Sequence, residues 1–70
     1  MKYVIAERSK VQSYGVNAVG HRQKGTQIVV NEKELDQVPG DTLTKKAKAV
    51  SGKVYTQSAI KKIFKEGGWL

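Results

Sequence analysis

The chain contains no cysteine, one proline, one histidine and one tryptophan. Without cysteine there is no disulfide and no thiolate zinc site, and a reducing compartment is the natural setting. No apolar run approaches the roughly 20 residues of a membrane span. The opening Met1-Lys2-Tyr3-Val4-Ile5-Ala6-Glu7 has an apolar stretch too short for a signal peptide, and Glu7 ends it. These absences point to a cytoplasmic protein with no membrane partner. A chain of 70 residues makes one domain, 1–70, and buries only about 60% of its unfolded surface. Its stability must come from one small core, or be shared with a second copy.

Catalytic groupings are also missing. His21 is the single histidine and stands beside Arg22, with no second ligand or base nearby in sequence. That pattern suits a surface strand residue better than a metal or catalytic group. Ser9, Ser13, Ser51 and Ser58 have no evident general base. Glu32, Glu34 and Asp36 serve most economically as charge at a helix start. The reading is therefore a non-enzymatic protein with no metal and no cofactor.

What is present is positive charge. Thirteen basic residues, eleven of them Lys, oppose six acids, for a net charge of +7. Residues 1–30 carry +4, residues 31–41 carry −3, and residues 42–65 carry seven Lys and no acid. Such an excess attracts polyanions, nucleic acid first.

Alternation of apolar and polar residues predicts strands over 2–7, 14–22 and 26–31, with Gln23-Lys24-Gly25 as the loop of a hairpin. Tyr3 and Ile5 share one face of the first strand, Val4 and Ala6 the other. Which of these faces points inward is open. Residues 8–13 are polar enough for a loop. Asn31 with Glu34 reads as a capping box for a short helix that Pro39-Gly40 ends. Asp41 or Thr42 caps a second helix, about 43–51, and Thr56 caps a third, about 57–66. Lys53-Val54-Tyr55 is a short extended link. A second hairpin turning at Ser51-Gly52 is the alternative for this region, but Ala and Lys favour helix.

The expected fold is α+β: a small three-stranded antiparallel sheet, N-terminal, packed against two or three short C-terminal helices. The expected core includes Val4 or Ile5, Val16, Ala18, Ile28, Val30, Leu35, Leu43, Ala47, Val50, Ile60, Ile63 and Phe64.

Helical spacing places Leu43, Ala47 and Val50 on one face, with Lys45, Lys46 and Lys48 elsewhere. Lys61, Lys62 and Lys65 likewise lie away from Ile60, Ile63 and Phe64. A lysine face without Glu partners repels itself, which suits a surface that meets a polyanion. The candidate nucleic-acid-binding residues are Lys45, Lys46, Lys48, Lys53, Lys61, Lys62 and Lys65, with Arg22 and Lys24 near the hairpin tip. Lysine acts on phosphate as a point charge, so backbone contact should outweigh base readout. Arg8, Arg22 and Asn17 are the modest candidates for base contact. DNA or RNA is the expected partner. The competing reading is a protein-interaction or structural module whose lysines serve solubility or an acidic protein. Trp69-Leu70 is an apolar segment that either docks on the core or meets a partner.

Known motifs fit poorly. The break from about Ser51 to Thr56 is too long for a helix-turn-helix. Thr26 and Asn31 stand where an RNA-recognition strand needs aromatics. Three strands before a helix opening Thr44-Lys45-Lys46-Ala47-Lys48 resemble the second half of a double-stranded-RNA-binding domain only in topology, with the first helix and the spacing missing. Gly20 and Gly25 lack the Lys-Ser/Thr of a phosphate loop.

Overall fold

A computed structural model describes residues 2–17 and 21–69. Its element order is β1 (Tyr3–Glu7), α1 (Arg8–Ser13), β2 (Gln23–Lys24), β3 (Gln27–Asn31), a 3-10 turn (Glu32–Leu35), α2 (Leu43–Ala49), β4 (Lys53–Tyr55) and α3 (Gln57–Glu66). The four strands form one antiparallel sheet in the order β2-β3-β1-β4. The class is α+β as expected, with four strands rather than three.

The additional strand is the segment read as a link. Lys53-Val54-Tyr55 pairs with β1 in the register Tyr3↔Tyr55, Val4↔Val54 and Ile5↔Lys53. Three residues carry too little periodicity to announce a strand; the partner β1, fifty positions earlier, decides it. The second-hairpin alternative is not what forms, because α2 occupies 43–49.

The expected strand over 14–22 also differs. Tyr14 and Gly15 form a turn that closes α1, and Arg22 precedes a two-residue strand. Residues 18–20, including the expected core residue Ala18, lie outside the described residues. Residues 8–13 are a helix rather than a loop, seated by Val11, which is fully buried. The hairpin turns one residue later than expected, at Gly25-Thr26, so that Lys24 pairs with Gln27. Gly25 holds φ +59° there, a conformation glycine adopts without steric cost.

Three caps form as the sequence predicts. The Glu34 amide donates to Asn31 Oδ1 at 3.0 Å, and the Asn31 amide donates to Glu34 Oε1 at 3.1 Å. Thr42 Oγ1 accepts from the Lys45 amide, and Thr56 Oγ1 from the Ala59 amide, each at 3.2 Å. The helix after Asn31 is a single 3-10 turn, shorter than expected. α2 ends with paired bonds from Ser51 N to Lys48 O and from Gly52 N to Ala47 O, with Ser51 at φ +54°.

The sheet is covered on both faces, which resolves the question left by the first strand. Val4 and Ala6 join Val11, Ile28, Val30, Leu35, Ala47 and Val50 in the larger core, under α1 and α2. Ile5 and Val29 join Ile60 in a smaller core under α3, flanked by half-buried Tyr3, Tyr55, Ile63, Phe64 and Trp69. Both faces of β1 are therefore buried. Leu43, Ile63 and Phe64, expected in the core, are half-buried at its margins. Gly52 sits where β4 leaves α2 and crosses β1. A Cβ there would fall 2.8 Å from Ile5 O and 2.8 Å from Val4 Cγ1, so only glycine fits.

Candidate nucleic-acid interface

The two lysine-rich helices lie on opposite faces of the sheet, since α2 belongs to the larger core and α3 to the smaller. Their lysines do not form one surface. The candidate residues divide into two groups, and the groups differ in surroundings.

On α2, Lys45 Nζ meets Asp41 at 3.0 Å, an exposed i,i+4 ion pair. Lys46 is half-buried, and its backbone nitrogen lies 3.0 Å from where a Cβ on Gly40 would stand. At 100° per residue Lys46 and Lys48 are about 160° apart around the helix. Both lie in the last turn, where cations suit the helix dipole. Lys48 lines a shallow hollow with Lys53 beside the outer edge of β4.

On α3, Ile60 points into the sheet at 3% exposure. Lys61, Lys65 and Lys62 follow within an arc of about 100° on the outward side. All three are exposed, and among the described residues none has a carboxylate within 4.0 Å. Phe64 flanks this arc three residues from Lys61. Arg22, from the segment before β2, sets its guanidinium 5.0 Å from the Phe64 ring centroid. Trp69 approaches the same ring edge-on, at 6.0 Å and 67° between planes. Lys24 runs across the segment between α3 and Trp69, its Cε 3.0 Å from where a Cβ on Gly68 would stand. Arg22 and Lys24 thus approach the Phe64–Trp69 segment from a stretch some forty residues away, and Lys61 and Lys65 lie on the outward arc of the helix that carries Phe64.

His21 departs from its expected role as a surface residue. Its side chain is 15% exposed, and Nε2 bonds Glu34 Oε2. Glu34 therefore serves the capping box with one oxygen and His21 with the other. This bond ties residue 21, next to Arg22, to the 3-10 turn. Nothing in the spacing of residues 21 and 34 signals the contact. Trp69 packs against the smaller core, the first of the two alternatives for this segment; Leu70 lies outside the described residues.

A groove of about 850 Å³ opens on the α3 side of the sheet, beyond Trp69. Ile5, Ile63, Tyr55 and Trp69 are among its lining residues. Its charges balance: Lys24 and Lys53 oppose Glu7 and Glu66. Lys53 Nζ stands 5.9 Å from the Tyr55 ring centroid, and the Thr26 hydroxyl donates to Glu7 at 3.4 Å. Lys24 belongs to both regions, beside Gly68 and in the groove lining, while Arg22 and the outward lysines of α3 lie outside the groove and Glu66 stands at its α3 side.

Among the described residues, no group of three or more His, Asp or Glu could hold a metal ion, and no helix is long and apolar enough to cross a membrane. Compared with known protein families, curated proteins and solved structures, the chain matches none.

Proposed function

We propose that this protein binds nucleic acid through the α3 side of the sheet, by phosphate contacts that carry little sequence preference. The observation behind this reading is the convergence of Arg22 on Phe64 beside Lys61 and Lys65. Two stretches distant in sequence supply cations to one surface, and none of these cations has a carboxylate partner among the described residues. Solubility alone requires no such convergence. α2 is the weaker candidate, because Lys45 pairs with Asp41, Lys46 is half-buried, and Lys46 and Lys48 diverge around the helix.

Lysine's predominance favours contact with phosphates over reading of bases. If Arg22, Lys61, Lys62 and Lys65 each neutralise one phosphate, log K against log salt falls with a slope of about −3.6 on duplex and about −2.8 on a single strand. Anisotropy of a labelled oligonucleotide, titrated across salt, measures this. The double variant Lys61→Gln, Lys65→Gln should flatten the slope by about 1.4 to 1.8. Absence of binding at low salt would remove the proposal. Equal affinity for polyglutamate would replace nucleic acid with the competing partner, an acidic protein.

A further inference from the structure

We infer that the groove beside Trp69 admits one unpaired nucleobase, so that the preferred ligand is a single strand rather than a duplex. This rests on the nucleic-acid reading above and adds to it the form of the ligand.

The inference comes from the difference in net charge between the outward arc of α3 and the groove. A phosphate is drawn to Arg22, Lys61 and Lys65 and gains nothing in the groove, where Glu7 and Glu66 offset Lys24 and Lys53. A base has the opposite preference. It is neutral, flat and edged with donors and acceptors. The groove's lining offers it two aromatic rings, Trp69 and Tyr55 with its neighbouring Lys53, and the apolar side chains of Ile5 and Ile63 among polar neighbours. Groups of both hydrogen-bonding senses stand at its rim: carboxylates that accept, and ammonium groups that donate. Its volume, about 850 Å³, lies within the range of about 300–1,000 Å³ usual for small-ligand sites.

The two surfaces meet at Trp69, which touches Phe64 on one side and lines the groove on the other. A strand with its phosphates along α3 meets Lys24 beside Gly68 on its way to the groove, where Glu66 stands on the α3 side. Pairing of a cationic track with aromatic rings is the usual physics of single-strand binding, in which each stacked base adds affinity with little regard to sequence. A duplex keeps its bases stacked and offers the groove nothing, except at its ends.

The test uses a labelled 12-nucleotide single strand, as DNA and as RNA, and the matching duplex. Affinity is read by anisotropy and the state of the groove by Trp69 emission. The expected result is single-strand binding about tenfold tighter than duplex, with Trp69 emission quenched as the base stacks. Trp69→Leu should weaken single-strand binding at least about fivefold more than it weakens duplex binding. Tyr55→Leu should act in the same direction; circular dichroism confirms that each variant retains its fold before its affinity is compared. Duplex binding as tight as single-strand binding, or single-strand binding without quenching, would overturn the inference while the phosphate-binding reading stands. Loss of all binding at low salt would take both.

Discussion

α2 and α3 are both short, both capped by threonine, and both rich in lysine without acid in the first turn. They differ in what surrounds the lysines. On α2 the cations point in divergent directions, one paired with Asp41 and one half-buried beside Gly40. On α3 they share one arc, and Arg22 and Lys24 arrive from elsewhere to extend it. Equal lysine content can thus serve a helix's own termini in one place and build a surface in another. Position relative to the sheet makes the difference: α2 covers the larger core and α3 the smaller, with Arg22 reaching only the α3 side.

This comparison can be strained from the core outward. Leu35 is fully buried in the larger core; Leu35→Ala should cost about 2–5 kcal/mol by chemical denaturation. Ile60→Ala should fall at the lower end of that range, because half-buried neighbours around it let water fill the space. A larger loss for Ile60→Ala than for Leu35→Ala would reverse the ranking of the two cores. Gly52→Ala forces a methyl against β1 where α2 hands over to β4. It should cost about 1–3 kcal/mol, seen as a lowered denaturation midpoint.

The smallest effects concern the caps. Thr42→Ala and Thr56→Ala should each cost about 1 kcal/mol. Only Thr56→Ala should also weaken oligonucleotide binding, since it loosens the helix that carries Lys61 and Lys65. Equal weakening by both would erase the distinction between the helices.

Much of this was legible locally. The caps at Asn31, Thr42 and Thr56 follow from side chains three residues from their targets, and the alternation of β1 and β3 places their apolar residues on the correct faces. Features that depend on distant partners were not legible. β4 is a strand because β1 is beside it, and α1 is a helix because Val11 finds the underside of the sheet. The same holds for the site. The lysines of α3 are plain in the sequence, as is the absence of acid from residues 42–65. Their union with Arg22, and the exclusion of α2 from that surface, depends on a sheet covered on both faces, which periodicity within each element does not specify. The contact of His21 is hidden from the sequence for the same reason, as its partner Glu34 lies across a hairpin.

The most direct test sets the helices against each other. Log K for a single-stranded oligonucleotide is measured against log salt for the unaltered protein, for Lys61→Gln with Lys65→Gln, and for Lys45→Gln with Lys48→Gln. The α3 pair should flatten the slope by about 1.4, and the α2 pair should leave it unchanged. A slope flattened equally by both pairs, or by the α2 pair alone, would contradict the assignment of the binding surface to α3.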